Sequence, residues 1–170
     1  GSTVYITLEP CNFEGKTGAC SLRLLEAGVE RIVVAMKDPN PKVNGKSLEK
    51  FKDSGINVSV GLLEREAREL NLGFIKRMET GLPWLRVKIA SSMDGFIALR
   101  SGRSKWITAS KARSDGHFWR AKACAVLTGV GTLVVDNPKL NVRSLKTERQ
   151  PLKILIDPLR KAKLNLDFFK

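Results

Sequence analysis

Cys11 and Cys20 stand at the head of the chain with eight residues between them, the first closing the run Thr7-Leu8-Glu9-Pro10-Cys11 and the second opening a helical pattern. Thiolates are soft ligands that favour tetrahedral zinc, and two of them with one imidazole leave the fourth position open to water. Pro10 fixes a backbone angle and stiffens the turn that presents Cys11. At a helix start, Cys20 is expected to gain from the dipole, with its thiol pKa lowered toward the ligating form. On these two residues alone, zinc competes with an ordinary pair of unligated loop or core thiols.

The elements around them read as strand, helix, strand. Thr3 to Leu8 alternates loosely, Cys20 to Ala27 is helical and stops at Gly28, and Arg31 to Met36 is a continuous apolar strand. Asp38-Pro39-Asn40-Pro41 is a loop, Ser47 to Asp53 a short helix ended by Gly55, and Ile56 to Val60 a further alternating strand. Such an order implies parallel strands with crossover helices. Leu63, Ala67, Leu70, Phe74 and Met78 fall at helical spacing, so one amphipathic helix is predicted over 62–78, with Glu64 paired to Arg68.

Thr80-Gly81-Leu82-Pro83 has turn chemistry, and a domain boundary is placed there, giving 1–81 and 82–170. Beyond it the pattern predicts strands at Trp84 to Ala90 and Phe96 to Leu99, then a helix from about Ser110 to Ala121 capped by Thr108 or Ser110. Strands follow at Ala123 to Thr128 and Leu152 to Ile156. Cys124, within an apolar run, is expected in the core.

Composition narrows the classes. No stretch approaches the roughly 20 apolar residues of a membrane-spanning helix, and no basic-then-apolar signal opens the chain. A cytosolic location is expected, and three cysteines make a poor disulfide framework. The 30 Lys and Arg against 17 Asp and Glu give +13, enough to attract phosphates. Those charges are spread along the chain and only 6% of residues are aromatic, which favours a solvated basic surface over a nucleic-acid module.

Zinc deaminases couple a His and Glu motif to a later Pro-Cys and second Cys; only the later part stands here, so the His and Glu are expected upstream of Gly1. Glu9, two residues before a ligand at a strand end, is expected to orient the loop. Thr7-Leu8-Glu9-Pro10-Cys11 with Asn12, Gly15, Lys16, Thr17 and Cys20, then Glu26-Ala27-Gly28-Val29 and Asp38-Pro39-Asn40-Pro41, resembles the bifunctional riboflavin-biosynthesis deaminase/reductase family. That family usually carries a His near position 13 and a Pro pair before the second cysteine, where this chain has Phe13 and Gly18-Ala19. The ligand spacing is intact, so the departures bear on the pyrimidine pocket.

A second resemblance, to the family's reductase half, rests on Lys88-Ile89-Ala90-Ser91-Ser92-Met93-Asp94-Gly95 and Ser101-Gly102-Arg103-Ser104-Lys105-Trp106-Ile107-Thr108. Ala112-Arg113, Asp115, Arg120-Ala121, Gly129, Gly131-Thr132, Asp136-Asn137-Pro138, Leu140 and Arg143 keep its order. The resemblance implies an α/β chain: the C-terminal part of a cytidine-deaminase-like α/β/α domain, then the N-terminal part of a dihydrofolate-reductase-like α/β domain. It implies Zn2+ on Cys11 and Cys20, and deamination of a diaminopyrimidine ribosyl phosphate followed by reduction of its ribosyl group to ribityl. It also implies that Lys88, Ser104, Thr108, Arg120, Leu140 and Arg143 face this small-molecule substrate, while Ala90, Trp106, Thr132 and Asp136 contact NADPH. The chemistry suits: the arginines can fork onto a phosphate, the hydroxyls can donate, and Lys88 can polarise a carbonyl. A homo-oligomer is left open.

Each assignment has a plainer rival. Trp106 could be core, Arg120 and Arg143 surface arginines, and Asp94-Gly95 a turn. Gly129-Val130-Gly131 is too short for a dinucleotide fingerprint. His117, the only histidine, sits on a charged helix and is expected to be solvated. Other readings are a different zinc deaminase, which commonly spaces its cysteines two apart, a basic nucleic-acid module, and a zinc-binding remnant without cofactor.

Overall fold

A computed structural model describes residues 1–170, which divide into two compact units, Gly1–Arg86 and Val87–Lys170. In the first, β1 (Thr3–Ile6), β2 (Arg31–Val34) and β3 (Asn57–Val60) form a parallel sheet in the order β1-β2-β3. Val4 lies opposite Ile32, and Ile32 opposite Val58. Helix α1 (Cys20–Glu26) links β1 to β2, and α2 (Lys46–Asp53) links β2 to β3. Short parallel strands need such crossovers, and the central one must be apolar on both faces. Ile32, Val33 and Val34 are all buried accordingly.

On one face Ile32 and Val34 meet Val29, Leu48 and Phe51, with Leu24, Leu25 and Val58 packed around them. On the other, Met36, Ala67 and Ile75 form a smaller core with Leu8 and Phe74. Beside it Tyr5, Val33, Leu62, Leu63 and Leu70 line an open groove of about 290 Å³.

The predicted single helix over 62–78 is two: α3 (Glu64–Leu70) and α4 (Leu72–Thr80), broken at Asn71, whose φ is −119°. The Asn71 side chain donates to the Ala67 carbonyl at 3.2 Å, taking a bond that a continuing helix would give to backbone. Gly73 follows and adds little helix preference. Because the axis breaks, Arg68 pairs with Glu79 at 2.8 Å and not with Glu64. Gly81 closes α4 at φ 74°, donating its N–H to Arg77 O at 2.9 Å.

In the second unit, α5 (Ser110–Lys122) leads into β4 (Ala125–Gly129), α6 (Val130–Asp136) and β5 (Leu152–Ile156), and a 3₁₀ turn spans Asp167–Phe169. Strands β4 and β5 are parallel, with Ala125 opposite Leu152. Leu133, Val142 and Phe168 are buried. Helix α6 has no counterpart in the sequence-based expectation. Neither Thr108 nor Ser110 caps α5; its N-cap is Ala109, with no side-chain cap bond.

The strands predicted at Trp84 to Ala90 and Phe96 to Leu99 do not form. A strand persists only when another strand takes its backbone bonds, and none lies beside these residues. Val87 and Ile89 are exposed as a result. Ser92 instead ties a turn, its Oγ lying 2.5 Å from Asp94 Oδ1 and accepting the Phe96 N–H at 3.1 Å. Cys124 is exposed, not core; it directly precedes β4, and its carbonyl accepts the Leu152 N–H at 3.0 Å. No helix is long and apolar enough to cross a membrane.

Candidate functional site: a thiol pair and an arginine cluster

The thiol pair is held by a buried carboxylate. After β1 the chain continues alongside β2, with Glu9 N–H donating to Met36 O at 3.0 Å. This turns the Glu9 side chain inward, to 3% exposure. Its Oε2 accepts N–H groups from Asp38 at 3.1 Å and Gly45 at 2.9 Å, and its Oε1 accepts from Gly45 at 3.0 Å and Ser47 at 3.2 Å. A buried carboxylate is tolerated only with such donors. Gly45 adopts φ 93°, a conformation costly for other residues, and thereby aims its N–H at both oxygens. Ser47 Oγ adds a 2.5 Å bond to Pro10 O. Burial pushes the Asp38 carboxyl up, an Asn40 N–H at 2.8 Å opposes the shift, and Glu9 reinforces it.

Cys11, anchored this way, accepts the Ser21 N–H at its carbonyl (3.0 Å) and the Cys20 N–H at its sulfur (3.4 Å). Hydrogen bonding with Cys11, then burial and the charge of Cys11, push the Cys20 thiol up, with Arg23 opposing. The expected depression by the helix dipole is overruled: α1 is only seven residues long and a direct thiol partner outweighs it. Ser21 Oγ and Asn12 Oδ1 nearby are buried without a partner. Two adjacent soft donors suit zinc, yet no third His, Cys, Asp or Glu joins them; the pair fits as part of a ligand set. Phe13 is exposed, with the Lys42 ammonium 5.9 Å over its ring.

In the second unit the structure gathers some predicted residues and scatters others. Arg120 Nη1 donates to Asn141 O at 2.9 Å, and Arg143 Nη1 to Asn141 Oδ1 at 3.4 Å, so both guanidinium groups gather at one backbone segment. Val142 beneath them is buried and exchanges bonds with the Gln150 amide at 2.7 and 3.0 Å. Neither arginine has a carboxylate within ion-pair distance. Burial, then Arg143, lowers the Arg120 pKa. Leu140 is half-buried at φ 48°.

His117 is where the sequence misled. Expected in solvent, it is 8% exposed, because the loop carrying Asn141 to Arg143 folds over that face of α5. Its Nδ1 lies 3.3 Å from Arg120 Nη1 and 3.5 Å from Arg143 N. Burial first, then Arg120 and Arg143, pushes its pKa down.

Trp106 is 71% exposed, so it is not core. The Arg113 guanidinium stacks 4.4 Å over its ring and donates to Thr108 O at 2.5 Å. Thr132 and Asp136 sit on α6, exposed and half-buried. Lys88 and Ala90 lie in the irregular stretch and Ser104 in the loop before Trp106; no bond ties these three to the arginine cluster.

Comparison with known proteins gives the family. The family model of the RibD C-terminal domain matches residues 83–170. Riboflavin biosynthesis protein RibD of Haemophilus influenzae is 47% identical, aligned over 92% of this chain and 45% of its own length. RibD of Escherichia coli is 44% identical over 92% and 46%. The solved Acinetobacter baumannii RibD superposes with a TM-score of 0.92 at 45% identity, covering 98% of this chain and 48% of that one. A Thermotoga maritima structure titled diaminohydroxyphosphoribosylaminopyrimidine deaminase/5-amino-6-(5-phosphoribosylamino)uracil reductase gives 0.88 at 40% identity, over 97% and 47%. The chain spans about half the length of the relatives it matches. With a family model covering the whole second unit and relatives running through both, the chain belongs to the RibD family.

Proposed function

We propose that this chain contributes to a bifunctional enzyme of riboflavin biosynthesis, with residues 1–81 part of a cytidine-deaminase-like domain and 82–170 part of a dihydrofolate-reductase-like domain. The reaction sequence is deamination of a diaminopyrimidine ribosyl phosphate, then reduction of its ribosyl group to ribityl. The observation that carries the reading is the Arg120–Asn141–Arg143 cluster: two cations without counterions, on a backbone segment pinned by Gln150. A half-buried Arg120 guanidinium beside an exposed Arg143 favours a dianionic phosphate.

In this reading Arg120 and Arg143 hold the phosphate and so place the sugar. Ser104 and Thr108 donate hydroxyl bonds, Lys88 stabilises negative charge developing on the sugar oxygen, and Leu140 shields the bound ribose from water. Trp106, with one face under Arg113 and most of its ring exposed, suits a nicotinamide platform; Ala90, Thr132 and Asp136 complete that side. NADPH supplies the hydride. In the first unit Cys11 and Cys20 would hold zinc, which supplies Lewis acidity for hydrolysis. Glu9 keeps Cys11 in place and is fully occupied by backbone donors, which leaves it unsuited to shuttling protons.

Titrating the chain into NADPH and following nicotinamide fluorescence tests the reading. Saturable binding is expected, weakened about tenfold in Trp106→Ala on the scale of an aromatic or cation–π contact. No saturable change in the wild type overturns it.

A further inference from the structure

His117 belongs to none of the roles assigned above, yet it is the most enclosed polar side chain of the second unit. Its neighbours constrain its chemistry. A guanidinium can only donate hydrogen bonds, and so can a backbone N–H. With Arg120 Nη1 at 3.3 Å and Arg143 N at 3.5 Å, Nδ1 must carry its lone pair. The imidazole is therefore neutral, with its proton assigned to Nε2 by this network. Arg120 comes from the same helix, one turn on, while Arg143 comes from the facing segment, so one ring nitrogen ties together the two pieces of chain that bear the guanidinium groups. The charged groups acting on the ring are those two arginines, both cations.

We propose that His117 is a positioning residue for phosphate recognition: its Nδ1 lone pair holds the Arg120 guanidinium and the Arg143 backbone in the register that lets both side chains grip one phosphoryl group. The inference rests on the functional reading above and goes beyond it by naming the residue that sets the arginine geometry. Protonation of the ring would replace the shared acceptor with a third donor and a third positive charge, and the two segments would separate.

The experiment uses the 170-residue chain with ribose 5-phosphate as probe, following heat of binding and the Arg143 backbone amide by ¹⁵N NMR. His117→Asn places its amide oxygen near the Nδ1 position and can accept; His117→Gln places it near Nε2 and cannot. Wild type and His117→Asn should bind alike, while His117→Ala and His117→Gln lose about tenfold, the scale of one or two hydrogen bonds. The Arg143 amide should shift in Ala and Gln but not in Asn. Wild-type affinity should fall as pH drops through the lowered His117 pKa more steeply than that of His117→Asn, in which only the phosphate titrates. Equal binding by all four proteins, with an unmoved Arg143 amide, overturns the positioning role while leaving the phosphate site standing. Failure of the wild type to bind ribose 5-phosphate overturns the functional reading itself.

Discussion

Replacing Glu9 by Gln keeps the shape of a side chain that is almost wholly buried, yet it should destabilise the first unit markedly. Asp38 N–H depends on Oε2 alone, Ser47 N–H on Oε1 alone, and Gly45 N–H reaches both. Whichever oxygen becomes NH2, one buried donor then faces another donor, while Gly45 keeps the oxygen that remains. One orphaned buried N–H costs about 1–3 kcal/mol, and the surviving bonds fall from charge-assisted to neutral strength, a further ~1 kcal/mol. Together these come to about 2–4 kcal/mol, and relief of the carboxylate's desolvation brings the expected loss to the lower half of that range. Glu9→Ala orphans all three donors and leaves a void, so it should lose about 4–6 kcal/mol. Native-state hydrogen exchange at the Ile32, Val33 and Val34 amides reads the opening of this unit directly. A Gln variant within ~0.5 kcal/mol of wild type, the range of an unremarkable surface change, would refute the account of Glu9 as the clamp between the two loops.

Phe51→Ala should cost about 3–5 kcal/mol by urea denaturation, because the ring is fully buried among Val29, Ile32, Val34 and Leu48. Removal of either partner of the exposed Arg68–Glu79 pair should stay within about 0.5 kcal/mol. His117 has a folded pKa below its unfolded one, so its contribution to stability is fully present above the ordinary value of 6.5 and is lost as pH falls through the lowered folded value. Thermal melts between pH 7 and pH 5 should show that loss in wild type and less of it in His117→Asn. Iodoacetamide should alkylate Cys20 faster in Cys11→Ala than in wild type, since the hydrogen bond that raises its pKa is gone; Zn2+ should protect Cys11 and Cys20 while exposed Cys124 still reacts.

Periodicity and punctuation determined the local elements: the alternating Val4 and Ile6, the helix from Cys20 stopped by Gly28, the apolar run from Arg31 and the strand from Leu152 all stand where their residue patterns put them. The cysteine spacing and the two arginines were likewise visible as chemistry before any contact was known. What a pattern of one chain segment cannot carry is the partner it requires. Trp84 to Ala90 alternates like a strand but has no strand to accept its backbone bonds, and 62–78 runs at helical period until Asn71 bonds its own helix and breaks it. Cys20 follows the same rule: its helix position suggested a lowered pKa, and a thiol nine residues earlier raised it. His117 sits on a charged helix by sequence and becomes enclosed only when a loop over 20 residues later lies across it. Local propensity acts through neighbours along the chain and is therefore written in the sequence; burial, tautomer and pKa depend on which distant groups are brought within about 3–4 Å, and that only the tertiary structure decides.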